Sequence, residues 1–495
     1  MTYSAALSTD TNGALQRHLL RRDGQEDLCF ALYHPSRGQQ RESALIATPV
    51  LPEPGERRVH GNASFSSQYF LRAADLAADA GAGLVLVHSH PGGRGWQHMS
   101  PDDLDAERGH AAQALALTDR PLVGMTLAGD GAWSARTWTR RGRGDYARGD
   151  HATVRVIGER LTLTHHPRLS PAPDPNTALQ RRTISAWGPD TQAELAHLRI
   201  GIVGAGSVGA LVAEALTRTG IRHLVLLDFD SVKRHNLDRL LHATIRDVRL
   251  ARSKVETLQR ALRRSATARD PLIEAHELSI VEPDGFARAL DCDLLFSCVD
   301  RPWARYALNL IAYAHLIPVV DGGIRVTTAA GRRLTGADWR AHVAAPTRQC
   351  LECLGQYDPG LVASEREGLL DDPKYIEGLP DDHPIRANQN VFAFSQAAAA
   401  LEVLQMLSMV IAPSGVGDAG AQHYHFVTGH LDSDSHACAP TCPFCTNLLA
   451  LGDTASIPVT GRHLAAERER ERRAARQRRL PVRLARTLDR ARDRR

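Results

Sequence analysis

Residues 198–220 read LRIGIVGAGSVGALVAEALTRTG and indicate the fold class of the second half of the chain. An apolar run of strand length leads into Gly204-x-Gly206-x-x-Gly209, and an amphipathic run of helix length comes next. A glycine-rich turn between a buried strand and a helix lets backbone N–H groups approach phosphates. Strand and helix patterns alternate from Gln180 to about Thr454, so we predict a doubly wound, mostly parallel α/β sheet of the Rossmann-like type.

The polar residues after this turn separate two kinds of nucleotide site. Asp228 ends the next predicted strand, where an acid that binds a ribose is expected. Up to this point an NAD-dependent oxidoreductase fits equally well. The stretch DFDSVKRHNLDRLL then adds Asn236 and Arg239, Lys254 opens a predicted helix, and Asp300 ends a later strand.

The arrangement resembles the ThiF/MoeB/E1 family, whose members adenylate the C-terminal glycine of ubiquitin-like proteins. The resemblance implies that Gly204, Gly206 and Gly209 hold the nucleotide and that Asp228 binds its ribose. It also implies that Asn236, Arg239 and Lys254 contact the triphosphate, and that Asp300 coordinates Mg²⁺. Adenylation brings a carboxylate against the α-phosphate, so several cations are needed to offset the charge. Lys254 is one of three lysines among 60 basic residues.

The same resemblance implies a homodimer. Arg182, in the stretch RRTISAWG before the first strand, matches a family arginine that reaches the ATP of the partner subunit. We therefore expect the second half to dimerise and to place Arg182 at its partner's site.

Four of the eight cysteines form two Cys-x-x-Cys pairs, which are Cys350 with Cys353 and Cys442 with Cys445. Without a secretion signal, this spacing favours a structural zinc ion over disulfides. Related enzymes often carry a thioester-forming cysteine on the crossover loop, but residues 354–390 contain none. Cys438 remains as a possible thioester site or as an alternative zinc ligand.

A second motif lies in the first half of the chain. His88 and His90 end an apolar run of strand length, and Pro91, Ser100 and Asp103 come after them. Side chains two residues apart on a strand point the same way, so both imidazoles can share one metal ion with Asp103. Two histidines and one carboxylate leave a zinc position open for water, as hydrolytic zinc sites require.

This motif resembles the JAMM signature of JAB/MPN-domain metallopeptidases, which form an α+β fold. The resemblance implies that His88, His90 and Asp103 bind catalytic zinc and that Ser100 steadies the water and the oxyanion. Nine residues separate His90 from Ser100, about two more than usual, which leaves His98 as another candidate ligand. The family's catalytic glutamate lies on an early strand, where Glu26 fits best and Glu42 is the alternative.

We therefore expect four segments. Residues 1–160 form the metallopeptidase domain, 161–179 a proline-rich linker, 180–455 the activating domain, and 456–495 an arginine-rich helical tail broken near Pro481.

The chain has no apolar run of 18 residues and no apolar stretch of the secretory kind near its start, so we expect a cytoplasmic protein with no membrane partner. The tail is interpreted as a solvated helix, with a basic docking arm as the alternative, and nucleic acid is not an expected partner.

Together the two resemblances imply an enzyme that processes and then activates one ubiquitin-like modifier. The peptidase would expose or release the modifier's C-terminal glycine, and the second domain would adenylate it with Mg-ATP. A conjugation pathway with a separate E2-like protein, as in antiphage defence, is favoured over sulfur-carrier activation. A binding module that presents an active peptidase is the non-catalytic alternative for the second domain.

Overall fold

The computed structural model describes residues 1–60, 62–329, 333–378 and 389–479. Among these residues, eleven strands and three helices precede residue 166. Their bounds are β1 (Thr2–Ser8), α1 (Thr9–Leu19), β2 (Leu28–Arg37), β3 (Arg41–Val50), β4 (Arg57–His60), β5 (Asn62–Phe65), α2 (Ser67–Asp79), β6 (Gly83–His90), α3 (Pro101–Thr118), β7 (Leu122–Ala128), β8 (Trp133–Gly142), β9 (Asp145–Asp150), β10 (Thr153–Ile157) and β11 (Leu161–His165).

In the described residues, nine of these strands form one mixed sheet in the order β11-β10-β1-β3-β2-β6-β7-β8-β9. The short hairpin of β4 and β5 stands apart from it. Strand β6, which carries the paired histidines, lies inside the sheet between β2 and β7. Its first five residues are buried, so only its carboxyl end reaches a partly accessible edge.

The second half begins at α4, and its elements extend to residue 479. Their bounds are α4 (Arg181–His197), β12 (Arg199–Val203), α5 (Ser207–Thr219), β13 (His223–Leu227), α6 (Ile245–Arg249), α7 (Lys254–Ser265), β14 (Leu272–His276), α8 (Pro283–Ala289), β15 (Leu294–Ser297), α9 (Pro302–Ala314), β16 (Val319–Ala329), β17 (Arg333–Ala344), α10 (Pro359–Arg366), α11 (Pro373–Glu377), α12 (Phe392–Ile411), β18 (Ala421–His425), β19 (His430–Asp434) and α13 (Leu464–Arg479).

Eight strands of the described chain form the second sheet, in the order β14-β13-β12-β15-β16-β17-β18-β19. The pairings from β14 to β16 are parallel, as the alternation of strands and helices predicts. The pairings from β16 to β19 are antiparallel, so the sheet is mixed and the predicted parallel order holds for its first part. Of these antiparallel pairs, β17 and β18 are separated in the chain by α10, α11 and α12.

The two halves share a buried interface. Arg41 and Arg155 of the first half approach the Asp293 carboxylate of the second, at N–O distances of 2.6 and 3.4 Å. The backbone N–H of Arg199 donates to the same carboxylate at 3.0 Å. Burial alone would raise the pKa of Asp293, but the two guanidinium groups lower it to about 2. The halves are therefore joined by a buried ion network as well as by apolar contacts.

The segment between the halves is shorter than predicted. Residues 161–165, expected in the linker, form β11 and pair antiparallel with β10, so the first sheet extends beyond residue 160.

Near the other end, α12 is long and apolar enough to cross a membrane by length and composition alone. Its Met406 and Met409 side chains are fully buried and it packs on α5 and β17, as a core helix does. Residues 480–495, with the predicted break at Pro481, lie outside the described residues.

Candidate functional site

The glycine turn of the second half connects β12 to α5. Gly204 has a φ of +95°, and a Cβ placed there would lie 2.4 Å from the carbonyl oxygen of Cys298. A Cβ at Gly209 would lie 1.9 Å from the carbonyl oxygen of Gly204. Gly206 precedes the first turn of α5, and no atom lies within 4 Å of where its Cβ would be. Two glycines thus close the turn, and the third leaves space before the helix N-terminus, where an anion is stabilised.

A partly buried lysine and two aspartates adjoin this turn. The Asp228 carboxylate accepts a 2.8 Å hydrogen bond from the N–H of Ala205. Lys254 Nζ lies 2.7 Å from Asp230 Oδ2 and 3.7 Å from Asp228 Oδ2. Burial alone would lower the pKa of Lys254, but the two carboxylates outweigh it and raise that pKa. Burial and the neighbouring Asp230 raise the pKa of Asp228 against the attraction of Lys254. The site therefore holds a fixed cation beside the turn.

The Asn-Leu-x-Arg segment lies against the same turn through its backbone. Ser207 Oγ, in the first turn of α5, donates to the carbonyl oxygen of Arg239 at 2.8 Å. The Arg239 guanidinium itself donates to Asp238 at 2.9 Å. Asn236 ends a short 3-10 turn and accepts a hydrogen bond from the N–H of Lys233 at 3.0 Å. The segment is in place, while the Arg239 side chain points to its own loop.

The last two predicted residues of this site differ in placement. Asp300 is exposed just beyond β15, and its charge is close enough to contribute to the raised pKa of Lys254. Arg182 is exposed in the first turn of α4. The structure thus brings together the glycine turn, the two aspartates, Lys254 and Asp300. The expected role of Arg182 across a dimer stays a prediction.

The histidine motif of the first half forms a compact group of donors. His88 Nε2 and His90 Nε2 are 3.2 Å apart, and His90 Nε2 lies 3.9 Å from Asp103 Oδ2. One ligand atom from each of the three residues lies within 4.8 Å of the others. Burial, and then the nearby Arg136 guanidinium, lower the pKa of His88 to about 3, so its imidazole is neutral. Two imidazoles and a carboxylate at this spacing fit zinc.

Ser100 and Asp103 also have a structural role at the start of α3. Ser100 is the N-cap, and its Oγ accepts from the Asp103 N–H at 3.2 Å while donating to Asp103 Oδ2 at 2.6 Å. The Asp103 carboxylate in turn accepts from the Ser100 N–H at 3.1 Å. This capping box fixes the carboxylate beside the histidines. Asp103 therefore serves the helix and the donor group at once.

Glu26 lies just before β2, the strand that neighbours β6 in the sheet. Leu28, two residues further on, pairs with His88 across the β2–β6 ladder, and the intervening Asp27 N–H donates to Ser89 Oγ at 3.0 Å. Burial raises the pKa of Glu26; His90 opposes this rise and the Asp103 charge adds to it. The alternative, Glu42, lies on β3 beside Arg37, at 3.5 Å.

Sequence reasoning missed the residues that support the histidines. Gln97 Oε1 lies 3.3 Å from His90 Nδ1, and Thr126 Oγ1, on the neighbouring β7, lies 3.5 Å from His88 Nε2. Gln97 is part of the enlarged loop, which gives that loop a role in orienting His90. His98, the other candidate ligand, is not among the three grouped donors in the described part of the chain. Spacing alone carries no signal for these contacts, because they depend on strand pairing and loop folding.

The cysteines form one sulfur group with a membership that differs from the expected one. Cys350, Cys438, Cys442 and Cys445 lie within 4.8 Å of one another, and Cys350 Sγ is 3.6 Å from Cys442 Sγ. Cys438 Sγ contacts Cys445 Sγ and accepts from the Cys350 N–H at 3.1 Å. Cys353 stands outside this group, and its N–H donates to Cys350 Sγ at 3.3 Å. Four sulfur donors in one place fit a structural zinc ion.

Comparison with known proteins identifies the second half. The sequence profile of the ThiF family matches residues 178–436, which is more than half of the chain. Ubiquitin-like modifier-activating enzyme 5 of Drosophila willistoni is 32% identical over 144 residues, which cover 27% of this chain and 34% of that protein. The Xenopus laevis enzyme of the same name is 35% identical over 122 residues, covering 22% and 30%. The chain thus spans about a third of the length of these relatives.

The solved structures that match this chain do so at lower sequence identity. Escherichia coli MccB with MccA-N7isoASN aligns over 54% of this chain and 74% of that one, with 17% identity and a TM-score of 0.43. E. coli tRNA N6-threonylcarbamoyladenosine dehydratase aligns over 48% and 96%, with 22% identity and a TM-score of 0.33. The assignment therefore depends on the profile match over residues 178–436, and by that match the chain belongs to the ThiF family.

Proposed function

We propose that the second half adenylates the C-terminal carboxylate of a small ubiquitin-like protein with Mg-ATP. The observation that supports this most directly is the cation Lys254, held by Asp228 and Asp230 next to the glycine turn. A carboxylate oxygen of the modifier forms a bond to the α-phosphorus, and the bond from that phosphorus to the bridging oxygen breaks. Pyrophosphate leaves and an acyl-adenylate remains. No proton has to be transferred in this step.

The residues of the chain have distinct tasks in this reaction. The N–H groups at the start of α5 and the cations Lys254 and Arg239 offset the charge of the triphosphate. Asp228 binds the ribose, Asn236 contacts the phosphates, and Asp300 would hold Mg²⁺. The ion, when bound, adds positive charge where pyrophosphate departs. Arg182 serves the site of the partner subunit in a homodimer.

The position of Cys438 bears on the step after adenylation. Its sulfur lies within the group of Cys350, Cys442 and Cys445, which favours a role as a ligand of structural zinc over a thioester. Cys353 is then a neighbour of the zinc group, although the sequence predicts it as a ligand. With no cysteine in residues 354–390, we propose that the acyl-adenylate is the product passed on. An E2-like protein would take it in a conjugation pathway, and a sulfur donor would take it in the alternative, sulfur-carrier pathway.

We also propose that the first half is a zinc peptidase of the JAMM type that acts on the same modifier. The donor group of His88, His90 and Asp103 supports this. Zinc, when bound there, would activate water and polarise the scissile carbonyl. Glu26 takes the proton from the attacking water and delivers it to the leaving amine, and Ser100 steadies the developing oxyanion. The two activities then occur in sequence, since cleavage exposes the carboxylate that ATP activates.

Exchange of labelled pyrophosphate into ATP tests the adenylation. The probe is a ubiquitin-like protein with a free C-terminal diglycine, and the matched control lacks the last two glycines. We expect exchange with the first protein only. Equal exchange with and without the last two glycines contradicts the proposal. No exchange with either ubiquitin-like or sulfur-carrier proteins also contradicts it and favours the alternative, in which the second half is a binding module.

Cleavage of the same modifier extended by a C-terminal peptide tests the peptidase. We expect release of the peptide by the native chain, and loss of release in Glu26→Gln with zinc content retained. Glu42→Gln serves as the matched control and should cleave normally. If Glu42→Gln loses cleavage and Glu26→Gln does not, the assigned base is wrong.

A further inference from the structure

The antiparallel arm of the second sheet carries a group of imidazole and carboxylate side chains that neither proposed activity uses. Asp338 lies on β17, and His423 and His425 lie on β18. One ligand atom from each of the three residues lies within 4.8 Å of the others. We propose that these residues bind one divalent transition-metal ion, with zinc as the occupant that the donor chemistry favours, and that the ion ties the outer strands of the sheet together.

Strand register places the three side chains on one face. Asp338 pairs with His425, and Arg340 pairs with His423. Because side chains alternate between the two faces of a sheet, these four side chains lie on the same face. On that opposite face Trp339 stacks on Tyr424, with ring centroids 4.6 Å apart, and packs against Phe394 of α12. The metal-binding face is therefore the one that α12 leaves uncovered, and an ion can reach it from solvent.

The distances need little adjustment to accept an ion. His425 Nδ1 lies 2.8 Å from Asp338 Oδ1, and the His423 and His425 rings are 4.4 Å apart. Two ligand atoms about 2.1 Å from a tetrahedral zinc ion are about 3.4 Å apart. Lengthening the distance between His425 Nδ1 and Asp338 Oδ1 by about 0.6 Å thus gives the separation of two zinc ligands, with the metal in place of the shared proton.

Neighbouring charges also suit a bound cation. Asp432 Oδ2, on β19, lies 3.1 Å from His425 Nε2 and can hold the second ring nitrogen, as carboxylates commonly do for metal-binding histidines. The nearby cation, Arg340, is engaged by Asp321 at 2.7 Å. Asp321 also accepts from Arg305 at 3.1 Å, so the charge of Arg340 is partly offset.

The donor set selects the class of ion. Two imidazoles and one carboxylate suit zinc, copper or nickel, whereas magnesium and calcium prefer oxygen ligands throughout. The expected role is structural, because the ligands come from adjacent strands and Asp432 extends the network to β19. Every residue of β19 is exposed, so this outer strand gains the most from a cross-strand link.

Metal content of the full chain, purified without a histidine tag, tests the site. The protein is loaded with zinc sulfate, desalted, and its zinc is measured per chain. We expect His423→Gln/His425→Gln to hold one zinc fewer than the native chain, and the control His60→Gln, altered at an exposed histidine on β4, to match the native chain. Equal zinc in the double variant and the native chain overturns the proposal. Neither result depends on adenylation or cleavage.

Hydrogen exchange of residues 421–434 gives a second measurement that needs no altered chain. We expect added zinc to slow exchange in this segment of the native protein, and Asp338→Asn to remove that protection. Exchange in residues 421–434 that is the same with and without zinc overturns the structural role, even if the double variant fails to fold.

Discussion

The two candidate catalytic sites place their polar groups in different ways. In the first half, two of three donors are on one strand, two residues apart, and the third is fixed by a helix cap. In the second half, the groups extend from Gly204 to Asp300 and meet because parallel strands end at one edge of the sheet. The first arrangement is local, and the second depends on the order of β12, β13 and β15.

The sites also differ in how they balance charge without a ligand. Lys254 is paired with two carboxylates, so the nucleotide site has a fixed cation before ATP binds. The histidine site consists of neutral His88, His90 and a carboxylate already used by the Ser100 cap. The groups at the glycine turn are thus organised by their own ion pairs, whereas the carboxylate beside the histidines is held by a helix cap. Four substitutions test this contrast.

The largest effect is expected at Lys254. Lys254→Gln keeps a hydrogen-bonding group near Asp230 but removes the charge that stabilises the departing pyrophosphate. We expect pyrophosphate exchange to fall about 100- to 1,000-fold, with cleavage of the extended modifier unchanged. Lys233→Gln, at a second lysine that lies 3.3 Å from Asp230, is the control and should lose less exchange. Normal exchange in Lys254→Gln would contradict the assigned role.

The matching change in the first half is His88→Ala. Loss of a direct ligand should reduce cleavage by more than about 100-fold, because removing even an outer partner of a metal ligand costs 10- to 100-fold. Pyrophosphate exchange should stay at the native rate, since His88 belongs to the first sheet and the glycine turn to the second. Retention of full cleavage would show that zinc is not held by these residues.

A smaller effect is expected from the geometry of the glycine turn. Gly204→Ala forces a positive φ on alanine and a contact with the Cys298 carbonyl, so we expect a loss of about 1–3 kcal/mol in unfolding free energy. Gly206→Ala is the matched control, with a φ of −78° and open space around it. Denaturant unfolding compares the two. Equal free energies of unfolding for the two variants would mean that the turn accommodates alanine at either position.

The smallest effect concerns the contact between the halves. His165 of β11 stacks on His197 of α4, with centroids 3.6 Å apart, and burial, followed by the His197 charge, lowers the pKa of His165 to about 4. Protonation of His165 then disfavours the folded state. The contribution of neutral His165 to the free energy of unfolding is therefore complete above about pH 6.5 and declines as pH falls toward 4.

We expect the melting temperature of His165→Phe to depend less on pH between 6.5 and 4 than that of the native chain. The phenyl ring keeps the stacking but does not titrate. His60→Phe, changed at an exposed position, should follow the native curve. Identical curves of melting temperature against pH for His165→Phe and the native chain would show that His165 does not contribute to the loss of stability in acid.

Part of the fold is predictable because its signals are local. The apolar run before Gly204 is β12, and the run before Asp228 is β13, each where the alternation of strand and helix predicts it. The antiparallel strands β17 to β19 are not signalled in the same way, since short polar segments such as His430–Asp434 lack an apolar pattern. The extension of the first sheet to β11 was missed because a proline-rich stretch comes directly after it.

Other features depend on residues far apart in sequence. Asp293 lies 252 residues from Arg41 and 138 residues from Arg155, and no spacing rule relates them. The same holds for the sulfur group, in which Cys438 stands where Cys353 was expected. Two Cys-x-x-Cys pairs predict a zinc site, but the path of the loop decides which sulfurs meet.

Sequence alone is sufficient to place His88 and His90 on a shared face, because strand side chains alternate with period two. It is also sufficient for the glycine turn, because Gly204-x-Gly206-x-x-Gly209 lies between a run of strand length and a run of helix length. Two contacts required the folded chain: Cys438 in the sulfur group, and Asp338 beside His425. They arise from strand pairing, sheet order and loop path, which local propensity does not encode.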